Sequence, residues 1–165
     1  MPLNPEISRF IREHLDDNPD QLLWKKNEYP DDRVVLAVEQ VQARENIKEK
    51  LPSWYACRDI FYPSKLSTEQ CSSETTAPYK ARLATGNSLC DLTGGLGVDT
   101  YFFSRQVDKV TYVERDESYC EAARSNFLAL GATNIEVIHA NATTVANQVI
   151  ADTYYIDPAR RTTDN

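Results

Sequence analysis

The chain contains no apolar run approaching the roughly 20 consecutive residues that span a bilayer. Its opening, MPLNPEISRFIREHL, sets Pro, Glu, Arg and His among the apolar positions, so it does not read as a secretory leader. The expectation is a cytoplasmic protein with no membrane partner. Histidine is scarce. His14 and His139, with the four scattered cysteines Cys57, Cys71, Cys90 and Cys120, give no C-x-x-C pair and no metal-ligand spacing, so the cysteines read as free, buried thiols. A basic excess is lacking as well. Lys and Arg number 18 against 25 Asp and Glu, and the net charge of −7 is split between the two halves, which excludes the broad basic footprint of a non-specific nucleic-acid binder. Glycine is also sparse, at 5 in 165 residues, and three of those five crowd into positions 94 to 97.

With 41% hydrophobic residues, the chain can build one good core, or a small helical unit packed on an incomplete larger one. There is no repeat, and the character of the sequence changes near FYPSKLST, residues 61–68. Before it everything reads helical. Asn4 and Pro5 supply a cap and a first helical proline, after which Ile7, Phe10, Ile11 and Leu15 share a face. A short helix follows with Leu22, Leu23 and Trp24, and a longer one after YPDD turns Leu36, Ala37, Val41 and Ile47 inward and ends before Pro52. The division expected is a helical domain over 1–65 and a second domain over 66–165. Ser67 and Gln70 form an S-x-x-Q capping box, predicting a helix from there to Gly86 that Pro78 kinks or interrupts.

Beyond Gly86, strand-like runs SLCDL, KVTYVE, IEVIHA and TYYID alternate with helix starts near Val98, Asp116 and Ala142. Such alternation predicts right-handed crossovers and a mostly parallel sheet, an α/β Rossmann-like half with about four strands in the order 3-2-1-4. In a sheet of this kind a ligand sits beyond the carboxyl ends of the strands, and Asp91, Glu114, Asn141 and Asp157 occupy those four places. Gly94, Gly95 and Gly97 permit a sharp strand-to-helix turn with bare backbone against a ligand. Leu96 stands where G-x-G-x-x-G needs a glycine, and Asp91 faces a pyrophosphate unfavourably, so a dinucleotide is disfavoured and a ligand with positive charge is favoured. Glu114 is placed to accept both hydroxyls of a ribose. A ribose, a cationic end and a carboxylate together describe S-adenosylmethionine.

On DLTGGLG, residues 91–97, followed by an acid at Glu114 and by YYIDPAR, the chain resembles the class I S-adenosylmethionine-dependent methyltransferases over roughly residues 66–165. The N-terminal helical region, EQCSSE, DLTGGLGVD and DPARR together are similar to a group of bacterial THUMP-like methyltransferases, and more distantly to the RNA cap trimethylguanosine synthases. The resemblance implies S-adenosylmethionine as cofactor, held by Asp91, Thr93, Gly94, Gly95, Gly97, Glu114 and Asn141. It implies Asp157 accepting a hydrogen bond from the incoming nucleophile, with Pro158 fixing the turn that aims it, and RNA as the acceptor. Thr93 replaces the first glycine of the family pattern, and Ala159 and Arg160 replace the second proline and aromatic of the fourth motif, so stacking of a flat base there is not implied.

Several readings stay open at this point. Arg160 and Arg161 can grip a substrate phosphate or form a solvated basic pair, while Gln70, Ser72 and Ser73 can reach the ligand or only cap a helix, and Tyr79 and Lys80 are similarly two-sided. The sequence stops at Asn165, directly after the fourth strand, so the chain is expected to be a fragment whose open sheet edge invites self-association. A non-catalytic partner-binding or dimerising module, and less favourably an NAD- or nucleotide-binding oxidoreductase, are the alternatives.

Overall fold

The computed structural model describes residues 5–29 and 31–158. The expected cap at Asn4 and the arginines Arg160 and Arg161 lie outside them. Helix α1 (Pro5–Glu13) buries Phe10 and Ile11, and Leu15 beyond its end completes the apolar face. Helix α2 (Pro19–Leu23) starts on Pro19 because Asn18 caps it, accepting hydrogen bonds from the backbone N–H groups of Asp20 and Gln21 at 3.0 and 3.2 Å. It stops at Leu23. Trp24 is its C-terminal cap and is 81% exposed, so the expected apolar trio reduces to Leu22 as the fully buried member.

Helix α3 (Arg33–Ile47) runs through the middle of the helical layer. Its N-terminal half packs Val34, Ala37 and Val38 on Phe10, Leu15 and Leu22, and its C-terminal half packs Ala43 and Ile47 on Leu51 and Trp54. Pro52 opens a further short helix, α4 (Pro52–Ala56), being tolerated in a first turn whose N–H groups lack partners in any case.

The single helix expected from Ser67 to Gly86 is two helices, α5 (Lys65–Gln70) and α6 (Thr76–Ala81). The cap is Ser64, one turn earlier: extended at φ −159°, it accepts the Ser67 N–H at 3.0 Å, while the Ser67 hydroxyl donates to the Ser64 carbonyl. Cys71 is extended and ends α5. Pro78 falls in the first turn of α6, where its missing N–H leaves nothing unpaired, so it neither kinks nor interrupts.

The strands are β1 (Ser88–Asp91), β2 (Lys109–Glu114), β3 (Ile135–His139) and β4 (Thr153–Tyr155), alternating with α7 (Val98–Phe103), α8 (Glu117–Ala129) and α9 (Ala142–Val145). They form one parallel sheet in the order β3-β2-β1-β4, as the alternation of runs requires. Register brings Asp91 opposite Tyr112 and Tyr155, and Glu114 opposite His139, so β1 and β4 end level while β2 and β3 run two residues further.

One face of the sheet is covered by α6, α7 and α8 through Leu89, Phe103, Val110, Tyr112 and Phe127. The other is covered by α9 and the residues after it, through Cys90, Val113 and Ile138. Helical layer and sheet layer share a core: Ile47 and Trp54 pack with Leu96 and Val98, and buried Asn126 exchanges hydrogen bonds with both backbone groups of Phe61 at 2.8 Å. Cys90 and Cys120 are buried, whereas Cys57 and Cys71 are only half-buried, so burial of all four thiols is not what the structure shows. No helix among the described residues is long and apolar enough to cross a membrane, and none of their His, Cys, Asp and Glu side chains gather as a metal site.

Candidate functional site

A crevice of about 610 Å³ opens at the carboxyl ends of the strands, within the roughly 300–1,000 Å³ of small-molecule sites. All the residues to which the resemblance gives a cofactor-binding or catalytic part line it: Asp91, Thr93, Gly94, Gly95 and Gly97 from the turn after β1, Glu114 from the tip of β2, Asn141 after β3, and Asp157 and Pro158 after β4. How each is held differs from the expectation in several places.

Asp91 is 1% exposed, and its carboxylate is spent on the turn. It accepts the Thr93 N–H at 3.0 Å, the Thr93 hydroxyl at 3.4 Å and the Thr100 hydroxyl at 2.6 Å. Burial pushes its carboxyl up to about 6, against the opposing hydrogen bonds from Thr100 and Thr93. It is a loop-forming acid more than a bare charge facing the ligand.

The glycines divide by what lies behind them. A Cβ on Gly94 would stand 2.3 Å from the fully buried Tyr112 ring, and one on Gly97, at φ +88°, would stand 2.7 Å from the Phe127 ring. These two are glycine because the chain passes tightly over its own core. Gly95 is the one matching a backbone kept bare for a ligand: at φ +54°, a Cβ there would meet only the Thr93 carbonyl oxygen, at 3.7 Å. Leu96 is buried among Ile47 and Trp54, so the side chain that breaks the dinucleotide pattern anchors the turn to the helical layer.

Glu114 ends β2 with both oxygens engaged. Oε2 accepts the Gly95 N–H at 3.0 Å, and Oε1 accepts the N–H groups of Arg115 and Asp116 at 2.7 and 2.9 Å. A carboxylate offers about four lone-pair sites, so one remains, on Oε2. The expected two-hydroxyl grip becomes a single further acceptor beside the Gly95 backbone. Asn141 caps α9, its Oδ1 accepting the N–H and hydroxyl of Thr143 at 3.0 and 2.9 Å, and it turns the chain at the crevice wall.

Thr93, standing where the family pattern has glycine, joins two strand tips: its hydroxyl accepts the Asp157 N–H at 2.8 Å and approaches Asp91. Asp157 is also held by its side chain. Lys80 on α6 donates to Asp157 Oδ2 at 2.9 Å and to Asp99 Oδ2 at 3.0 Å, with the Tyr155 hydroxyl and the Ser72 hydroxyl completing the group. Sequence reasoning left Lys80 undecided and did not single out Asp99 or Tyr155. The one local signal is the i, i+2 spacing of Tyr155 and Asp157, which sets both on one side of an extended segment.

In the EQCSSE segment, Gln70 and Ser72 line the crevice, whereas Ser73 accepts the Thr76 N–H at 3.1 Å and starts α6. Glu74 accepts the Ser53 N–H at 2.7 Å and ties this segment to α4.

Among the described residues, the lining acids Asp91, Asp99, Glu114, Asp116 and Asp157 stand with a single lining cation, Arg115, and with Lys80 just behind. Such a wall favours a positively charged ligand. S-adenosylmethionine fits what is present: bare backbone at Gly95, one open acceptor on Glu114 and an acidic lining for a sulfonium.

Among solved structures, the chain is similar to a protein of Porphyromonas gingivalis W83 that bears a provisional methyltransferase name, with 30% identity and a TM-score of 0.82 over 94% of this chain and 40% of that one. This chain thus spans two-fifths of that protein's length. An rRNA methylase of Streptococcus thermophilus is similar over 46% of each chain, with 22% identity and a TM-score of 0.41. No protein-family model matches the chain, and no curated protein does. The topology and the first of these likenesses agree: the chain carries a parallel four-stranded α/β unit of the methyltransferase-like fold.

Proposed function

We propose that this chain holds the cofactor-binding half of an S-adenosylmethionine-dependent methyltransferase, with RNA as the acceptor class. The observation that carries the reading is the convergence of the turn after β1, the tip of β2 and the segment after β4 on one acidic crevice. The choice of RNA rests on family resemblance alone, and the narrower THUMP-like assignment on the N-terminal helical region, EQCSSE, DLTGGLGVD and DPARR together.

When bound, S-adenosylmethionine supplies a methyl group on a sulfonium, open to in-line displacement. The chain's own residues bind and orient. The Gly95 backbone and Glu114 Oε2 form one wall, and Asn141 turns the chain at another. Asp157, at the β4 end, is the acid that accepts a hydrogen bond from the incoming nucleophile and orients its lone pair, a positioning role in which most of the rate gain comes from alignment. Pro158 follows it at the crevice rim.

Titration calorimetry with S-adenosylmethionine, S-adenosylhomocysteine and NAD tests the reading. Both sulfur compounds bind and NAD does not. Glu114→Ala weakens binding at least tenfold, about 1.4 kcal/mol, since a hydrogen bond to a charged group contributes roughly 1.5–3 kcal/mol. Binding of NAD alone overturns the proposal in favour of a nucleotide-dependent oxidoreductase.

A second reading, a dimerising module, is favoured by one feature: among the described residues β4 pairs only with β1, and Tyr154 and Ile156 beside that edge are exposed. A concentration-dependent dimer that binds none of the three compounds supports it.

A further inference from the structure

Lys80 stands in an unusual setting for a lysine with no assigned role. Its Nζ lies 2.7 Å from the Tyr155 hydroxyl, 2.9 Å from both Ser72 Oγ and Asp157 Oδ2, and 3.0 Å from Asp99 Oδ2. An ammonium has three hydrogens, so four oxygens from four different segments compete for them. The segments are the α5–α6 connection, the N-terminal turn of α7, the last residue of β4 and the residue two beyond it. Ser72 and Tyr155 in turn donate to Asp99 Oδ2 at 2.9 and 3.0 Å, and the Tyr155 hydroxyl also lies 3.1 Å from Asp157 Oδ2.

Stability does not account for this arrangement. The Asp157 side chain is 59% exposed and needs no counter-ion to remain in water, and ion pairs with an exposed partner stabilise little. Tyr155 and the better-buried Asp99 already hold the ammonium, so the pair with Asp157 adds little to stability. What the arrangement does achieve is restraint. Asp157 is fixed at its backbone by Thr93 and at its carboxylate by Lys80, and Lys80 is itself tied through Asp99 to the helix that begins directly after the glycine turn. The Tyr155 ring packs edge-on against Phe103, with centroids 4.8 Å apart, so the phenol cannot drift.

Lys80 does not serve as a base or a nucleophile. Burial opposes its charge, but the hydrogen bonds to Tyr155, Asp157 and Asp99 outweigh burial and hold the ammonium above the ordinary lysine range. A nitrogen kept protonated has no lone pair to offer.

We infer that Lys80, braced by Asp99, is a positioning residue that fixes the Asp157 carboxylate at the acceptor end of the crevice and couples it to the glycine turn at the cofactor end. The inference rests on the methyl-transfer reading for its purpose, while the restraint itself is measurable without it. Among the described residues, Lys80 and Tyr155 face the Asp157 carboxylate, and Asp99 reaches it through Lys80.

The experiment compares wild type, Lys80→Met and Lys80→Arg. Carboxyl-detected NMR follows the Asp157 titration, and amide hydrogen exchange follows its backbone. In Lys80→Met the Asp157 titration midpoint rises by about one pH unit through loss of the adjacent cation, its amide exchanges at least tenfold faster, and Lys80→Arg restores both toward wild type. S-adenosylhomocysteine affinity, read by calorimetry, stays within threefold. An Asp157 titration and amide exchange identical in wild type and Lys80→Met overturn the inference. If Lys80→Met does not fold, Lys80→Gln carries the same two readouts, with Asp157 unmoved in it as the overturning result. A wild type that binds neither sulfur compound sinks the methyltransferase reading, while the NMR titration and exchange rates still decide whether Lys80 restrains Asp157.

Discussion

The two ends of the crevice are built by different means. At the β1–β2 end the carboxylates of Asp91 and Glu114 are mostly engaged by N–H and hydroxyl groups within a few residues or on the adjoining turn, and Gly94 and Gly97 press against aromatic rings below. At the β4 end, Asp157 is held by side chains arriving from α6 and from the turn after β1. The first construction is short-range and stiff, because moving it breaks backbone hydrogen bonds and a packed core together. The second is held by a network of partly exposed charges rather than by a packed core, so it is restrained yet yields more readily than the first. A cofactor common to many reactions suits the stiff end, and an acceptor that must enter and leave suits the adjustable one.

The sharpest way to test that contrast is to set the glycines against one another. Gly94→Ala forces a Cβ to within 2.3 Å of a fully buried Tyr112 ring, and Gly97→Ala combines a 2.7 Å approach to Phe127 with φ +88°. Overpacking of this kind costs typically 1–3 kcal/mol and occasionally more, so each variant should lose about 3 kcal/mol or fail to fold, as read by urea denaturation. Gly95→Ala meets no neighbour closer than 3.7 Å and carries only its φ +54° strain, about 1–2 kcal/mol. Its expected signature is the reverse: a folded protein with S-adenosylhomocysteine affinity weakened at least tenfold. Equal stability loss at all three positions would break the distinction between core glycines and a ligand-facing one.

Asp91 supplies the next test. Burial raises its folded-state carboxyl from the ordinary 3.8 to about 6, so between those values the folded protein binds more protons than the unfolded chain. The resulting stability is fully present below pH 4 and is lost as pH rises through 6, a decline on the order of 3 kcal/mol at most. Asp91→Asn cannot titrate, so the difference between its urea stability and that of wild type should change across pH 4–6 and flatten above. A constant difference over that window would mean that Asp91 is not the desolvated acid its position implies.

Much of this framework is legible in the residues themselves. Apolar runs bounded by acids and by Gly86 or Gly131 yield the strands and helix starts, and the parallel order 3-2-1-4 follows because alternating elements leave few other topologies. The residues after each strand meet in one crevice for the same reason. What escapes a reading of the chain depends on partners remote in sequence. The cap at Ser64 replaces one at Ser67 because the backbone before it is already extended, which a four-residue pattern cannot reveal. Gly94 and Gly97 resemble ligand-facing glycines until Tyr112 and Phe127 are seen behind them. Lys80, Asp99 and Tyr155 come from three elements and announce themselves only in the folded molecule. Trp24 follows an apolar pair yet points to solvent, and nothing in the structure explains why a tryptophan stands there.

The smallest expected effect sits at the joint between the two ends. Thr93→Val keeps the branched shape and removes the hydroxyl that accepts the Asp157 N–H at 2.8 Å. Losing one such bond costs about 1 kcal/mol, and because the segment after β4 is exposed, water can replace part of it. Overall stability should therefore fall by less than about 1 kcal/mol, while the Asp157 amide, no longer held, exchanges several-fold faster. Asp91 keeps its bonds to the Thr93 N–H and the Thr100 hydroxyl, so amides on the glycine turn should keep wild-type exchange rates. Acceleration confined to the β4 side would show that the stiff end does not depend on the adjustable one. Acceleration spreading through Gly94 to Gly97 would show that Thr93 braces both, and the division of the crevice into two constructions would then have to be abandoned.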